Sequence, residues 1–200
     1  MAVEMIGPLA LFVFSLSVTP GPNNIMLLSS GINFGYQRTL PHMAGILFGM
    51  VLMLCLAGVG FSAVLQSAPW AYQTLKAVGL VYLLYLAWRI GSASAVSESR
   101  ESGGSPFSFF EAMIFQWVNP KAWVISTTMI SLYTTGESIL LEMSMVLLVF
   151  MLVCFPAISF WVIFGGWLRK ILNSPARVRI FNTVMAVLLV LSLIPVFVKI

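Results

Sequence analysis

Six apolar stretches, at roughly 5–30, 40–65, 70–90, 107–132, 139–167 and 178–198, take up most of this chain. Each is long enough to cross a hydrocarbon core about 30 Å thick as a helix. Nothing else in the sequence narrows the fold so far, because a chain that is 60% hydrophobic and 8% charged cannot clothe a soluble domain in polar groups. The expectation is an all-α integral membrane protein of six transmembrane helices joined by short loops, with membrane lipid as its solvent. The first stretch opens on Glu4 rather than a basic region and has no small-residue cleavage site, so it reads as a span and not a cleaved leader. One flexible linker, GSASAVSESRESGGSP (91–106), divides the chain into a first three-helix half, 1–90, and a second, 107–200.

Lys and Arg set the orientation. Arg38, Arg89, Arg100, Arg169, Lys170, Arg177 and Arg179 fall after the first, third and fifth spans, whereas the opposite side carries only Lys76 and Lys199. That bias puts the 91–106 linker in the cytoplasm and both termini outside. It also explains the net charge of +4 without nucleic acid, since no basic cluster is interleaved with aromatics on a soluble surface.

Three spans per half is an odd number, so the second half enters the membrane from the opposite side, as in two inverted-topology repeats. Both halves are interrupted at matching places, the first span at TPGPNN (19–24) and the fourth at FQWVNPKAW (115–123). Each interruption lies roughly 12–19 residues into its span, near the bilayer middle at about 1.5 Å per residue. Pro20 and Pro22 have no N–H, which deprives the carbonyls of Leu16 and Val18 of helical donors, and Pro120 does the same to Gln116. Irregular backbone survives at that depth only where it lines a polar cavity.

Such a cavity suits a zwitterion. The carbonyls that the prolines free can accept from an ammonium, and the half-helix that starts near Pro22 offers free N–H groups and a positive dipole end to a carboxylate. Asn23, Asn24, Gln116 and Asn119 add amides that donate and accept. Lys121, just past Pro120, is a charge at membrane depth and could pair with a substrate carboxylate. Trp117 lies four residues earlier on the same helical face, where it could stack on the ammonium or, with Trp123, wall the pocket. Plainer readings stand beside these: prolines kink membrane helices, amides tie helices together, and Lys121 could snorkel if the span shifts by a turn. Two amide-plus-proline breaks in opposed halves favour the binding site.

Other groups are less specific. Thr39 and Pro41 read as the start of the second span, and Gly45 and Gly49 as a small-residue seam that permits a second copy of the chain as readily as an internal contact. His42, the only histidine, and Glu111, near the start of the fourth span, are candidates for a coupling proton, each with a structural alternative. Glu4, Glu137 and Glu142 look like solvated ends. Cys55 and Cys154 could relay electrons by thiol–disulfide exchange, but without a C-x-x-C they read first as buried apolar residues. One His and two separated Cys offer few soft ligands, so neither a metal nor another cofactor is expected. No nucleophile–base pair, P-loop or dinucleotide pattern points to an enzyme.

TPGPNNIMLLSSGINFGYQRTLPHMAGILFGM and FQWVNPKAW resemble the LysE/RhtB family of bacterial amino-acid exporters, and the likeness runs over the whole chain. Pro-Gly-Pro followed by two asparagines looks most like the branch that includes the cysteine and O-acetylserine exporter. The resemblance implies efflux of amino acids or close derivatives across the inner membrane, driven by the proton-motive force. It marks Pro20, Gly21, Pro22, Asn23 and Asn24, with Gln116, Asn119, Pro120 and Lys121, as the family's motif positions. The sequence therefore predicts a secondary transporter for small neutral amino acids, working by alternating access at a midplane site. An intramembrane thiol–disulfide relay or a passive channel is the alternative.

Overall fold

A computed structural model describes residues 3–60, 69–92, 105–135, 138–172 and 174–191. The ends of the second and sixth expected spans, most of the linker, Arg100, Glu137, Lys199 and the side chain of Lys76 lie outside the described residues. Within them every regular element is helical. A 3₁₀ turn, Val3–Met5, leads into α1 (Ile6–Val18), and the run Pro22–Gly58 follows. That run is two helices, α2 (22–34) and α3 (36–58), parted at Gly35 with φ 77° and ψ 176°. Ser30 Oγ lies 3.2 Å from His42 Nδ1, whereas twelve residues of unbroken helix would separate them by about 18 Å, so the chain folds back at Gly35. Glycine enters that φ without the Cβ penalty of other residues. Beyond it come α4 (Pro69–Gly91), α5 (Phe109–Val118), α6 (Pro120–Tyr133), α7 (Ile139–Ile171) and α8 (Pro175–Leu191).

Both expected interruptions are present. Gly21 is extended between α1 and α2, and Asn119 is extended between α5 and α6. Each second segment starts on a proline, whose missing N–H and fixed φ suit a first turn. Thr39 is not a cap: because the fold-back comes at Gly35, Thr39 sits inside α3 and donates its hydroxyl to the Gly35 carbonyl at 2.7 Å.

Glycines let the helices touch along two seams. A Cβ on Gly31 would lie 2.3 Å from the Val162 carbonyl oxygen, and one on Gly165 2.4 Å from that of Leu28, so α2 and α7 meet backbone to backbone. A Cβ on Gly45 would lie 2.2 Å from the Phe109 carbonyl oxygen, and one on Gly49 2.8 Å from that of Met113. Gly45 and Gly49 therefore serve an internal α3–α5 contact. Leu83 and Leu86 of α4 share a core with Val178 and Met185 of α8. Arg89 fastens the end of α4 to the start of α5: it pairs with the Glu111 carboxylate and donates to the carbonyls of Ser105 (3.0 Å) and Pro106 (3.3 Å).

Large apolar side chains cover the outside, and several polar ones are buried in the interior. Leu11, Phe110, Val124, Leu140 and Leu152 are each more than 60% exposed, while Asn33, Thr39, His42, Gln116, Glu142 and Asn182 are at most 2% exposed. Only a lipid solvent favours that arrangement. Ile139–Ile171 is long and apolar enough to cross a membrane, by length and composition, as is Pro22–Gly58 when taken as one run across its reversal at Gly35. Glu142 departs from the sequence expectation of a solvated end. The turn after α6 folds over it, and its carboxylate accepts from the Thr135 N–H at 2.9 Å and hydroxyl at 2.7 Å. Glu4 is exposed, as expected.

Candidate functional site

The two interruptions meet. Asn23 Nδ2 donates to Gln116 Oε1 at 2.8 Å and Gln116 Nε2 returns a bond to Asn23 Oδ1 at 3.1 Å, joining residues 93 positions apart. A second bridge crosses beside it, from Lys121 Nζ to the Thr19 carbonyl at 2.8 Å. Gly21 makes room for that lysine, since a Cβ there would lie 3.1 Å from Lys121 Cδ and 3.2 Å from Nζ. Asn24 closes the first break from within, donating to the carbonyls of Ser17 at 2.7 Å and Thr19 at 2.9 Å.

The carbonyls in use differ from those that the prolines single out. Ser17 and Thr19, rather than Leu16 and Val18, receive the side chains, because the extended Gly21 turns Asn24 back towards α1. The Gln116 carbonyl regains a donor from the Asn119 N–H at 3.2 Å. The breaks also differ in their helix starts. Asn119 caps α6 with its own side chain, accepting from the Lys121 N–H at 3.1 Å. Gly21 gives α2 no side-chain cap, so the positive end of α2 is the one open to an anion.

A cavity with about 50 Å³ of room for water-sized occupants opens against this junction. At about 10–15 Å³ for each water, that is space for a few waters. Its polar lining is Ser17, Gly21, Asn23, Asn24, Asn119 and Lys121; the rest of the lining includes Ile46, Met50, Met129, Phe150 and Cys154. Among the described residues no acid lines it. The lining takes α1 from Val13 to Ser17 and α6 from Ala122 to Met129, the segments on the far side of the breaks from the Gly35 fold-back.

Other sequence candidates fall outside the lining. Thr19, Pro20, Pro22, Gln116 and Pro120 shape the breaks without walling the cavity. Trp117 and Lys121 do not share a helical face, because Asn119 parts α5 from α6 between them. Trp117 packs edge-on against Trp123 with ring centroids 6.1 Å apart, and Trp123 Nε1 donates to the Trp117 carbonyl at 2.7 Å. Glu111 forms a capping box with Ser108 at the start of α5. His42 is fully buried, with Nδ1 on Ser30 and its ring 5.2 Å from that of Phe107, while Nε2 has no hydrogen-bond partner among the described residues. Both cysteines are free; Cys55 is exposed on α3 and Cys154 is buried at the cavity.

Sequence reasoning missed the apolar lining and the amide pair of Asn33 and Asn182, buried and reciprocally bonded at 3.0 and 3.2 Å. An amide inside an apolar stretch, the signal that singled out Asn23, was available for both.

Residues 14–193 match the family model described as LysE type translocator. The chain is 30% identical over 186 residues, 90% of its own length and 91% of the relative's, to proteins named cysteine/O-acetylserine efflux protein from Escherichia coli (strain K12), from Escherichia coli O9:H4 (strain HS) and from Shigella flexneri. No solved structure matches it. The chain belongs to the LysE-type translocators and is a membrane exporter rather than an enzyme.

Proposed function

We propose that this chain exports small neutral amino acids or their derivatives across the bacterial inner membrane, by alternating access between two inverted three-helix repeats and at the expense of the proton-motive force. Relatives named for cysteine and O-acetylserine efflux support that substrate class. The observation that carries the reading is the Lys121–Thr19 bridge beside the uncapped start of α2, with Lys121 and Gly21 on the wall of the cavity and Thr19 just behind it. A bound zwitterion exchanges partners with it. The substrate carboxylate takes Lys121 and the N–H groups at the start of α2, and the substrate ammonium takes the Thr19 carbonyl that Lys121 gives up. Thr19, Pro20, Pro22, Gln116 and Pro120 hold the two breaks open for this exchange, and Asn23, Asn24 and Asn119 orient it. A second positive charge on the substrate would find no counter-ion in the lining, which selects neutral side chains over basic ones.

In the orientation set by Lys and Arg, with both termini outside, the cavity lies on the outer side of the breaks. The Gly31–Val162 and Gly45–Phe109 contacts close the cytoplasmic side, and access from the cytoplasm requires one of those seams to part. Such a closure argues against a passive channel. Glu111 is engaged by Ser108 and Arg89, which leaves His42, whose Nε2 has no partner among the described residues, as the better candidate for the coupling proton.

To test this, cells loaded with a panel of amino acids are compared with and without the chain. External cysteine, O-acetylserine and other small neutral amino acids are expected to accumulate faster with it, and an uncoupler is expected to stop the difference. Lysine or arginine exported in their place would overturn the substrate class, and uncoupler-resistant flux would favour the channel. Cys55→Ser is expected to leave export unchanged, whereas a thiol relay would lose its exposed partner.

A further inference from the structure

We propose that Met50, Met129, Phe150 and Cys154 form the side-chain subsite of the cavity, and that Cys154 sets which side chains fit; this rests on the export reading above. With its α-carboxylate at Lys121 and its ammonium at Thr19, a substrate must point its side chain at the rest of the lining. That wall is drawn from α3, α6 and α7, and its four side chains are at most 5% exposed. It is uncharged, so an ionised side chain would lose its hydration there without a partner. Three of its members carry sulfur, which makes the wall polarisable and tolerant of shape.

One polar pair breaks this apolar surface. Ser17 and Cys154 both line the cavity, offering a hydroxyl and a thiol, and the Ser17 carbonyl accepts from Asn24. Cys154 thus shares the lining with a residue bonded into the first break. A side chain with one sulfur or oxygen directly after its β-carbon meets that hydroxyl–thiol pair; an alkyl chain of the same length meets it with nothing to bond. One turn further along α7 is Ile158, and beyond it Val162, whose carbonyl abuts Gly31, so the wall cannot yield in that direction. Room for a longer side chain has to come from Cys154 itself.

The test is counterflow of O-acetylserine in vesicles containing the purified protein, with neutral amino acids of increasing side-chain length as competitors. The wild type is expected to prefer serine and cysteine to leucine and methionine. Cys154→Ala vacates the volume of a sulfur, and the ratio of methionine to serine competition is expected to rise about tenfold, the selectivity that one or two methylenes carry in an apolar pocket. Wild-type protein that exchanges no neutral amino acid would refute the export reading. An unchanged order of competitors in active Cys154→Ala protein would refute the subsite alone. Labelling guards against a variant that fails to fold. The chain has two cysteines, so Cys55→Ser leaves Cys154 as the sole thiol, and saturating O-acetylserine is expected to protect it from N-ethylmaleimide. Alkylation indifferent to substrate, or no alkylation at all, would overturn the assignment.

Discussion

Lys121→Met is expected to slow export by about 10- to 100-fold while the folded protein stays at its normal level in the membrane. The first effect follows from losing a charge-assisted hydrogen bond to the substrate carboxylate, about 1.5–3 kcal/mol, at about 1.4 kcal/mol for each factor of ten. The second follows from the position of the ammonium, half-buried among membrane helices with a carbonyl as its acceptor. A charge at that depth costs about 2.5–3.5 kcal/mol even on lenient insertion scales, and the bond to Thr19 returns about 1.5–3 kcal/mol of it. Methionine keeps the length and the packing and removes the cost, so the melting temperature in detergent is expected to hold or rise. Gly21→Ala is expected to give part of the same loss by pushing the lysine stem off its line to Thr19. Export at the wild-type rate by folded Lys121→Met protein would remove Lys121 from the site.

Gly165→Ala is expected to be among the most damaging small substitutions for the fold. Its new Cβ would lie 2.4 Å from the Leu28 carbonyl oxygen, an obstacle of main chain and not of movable side chain. Overpacking typically costs about 1–3 kcal/mol, and a backbone clash belongs at the upper end. Gly31→Ala is expected to cost a similar amount, because its Cβ would meet the Val162 carbonyl oxygen at 2.3 Å across the same seam. One displacement of α2 from α7 relieves both clashes, so the double variant should lose less than the sum of the two. Gly7→Ala, with nothing within 4 Å of its Cβ, is the control and should change little. Thermal unfolding in detergent reads all four. Equal, additive losses would mean that the two glycines do not face one another.

Both substitutions bear on what the sequence could and could not reveal. Proline chemistry alone located the helix breaks, because a missing N–H leaves its mark whatever the surroundings. It could not say which carbonyls would be taken up, because that depended on the direction in which Gly21 turned Asn24. Gly45 and Gly49 announced a close contact but not its partner, α5, since a small-residue seam reads the same from either side. Gly31 went unmarked although Gly35 follows it at the same spacing, and the two serve different ends, one a seam and the other a reversal. Glu142 looked solvated from its place at the end of a span, and only the path of the loop before α7 shows otherwise. The apolar lining of the cavity was illegible for a related reason. Met50, Met129 and Phe150 are ordinary apolar residues in apolar helices, distinguished only by what faces them.

Whether the two breaks work as one unit is read most directly by a double-mutant cycle on transport. Initial counterflow rates are compared for Asn23→Ala, Gln116→Ala and the pair, each normalised to folded protein in the vesicle. Because the two amides bond each other across the junction at 2.8 and 3.1 Å, each single variant is expected to lose most of the rate, and the pair little more than either. Losses that multiply, or rates that stay at the wild-type value, would contradict a shared site between the broken helices.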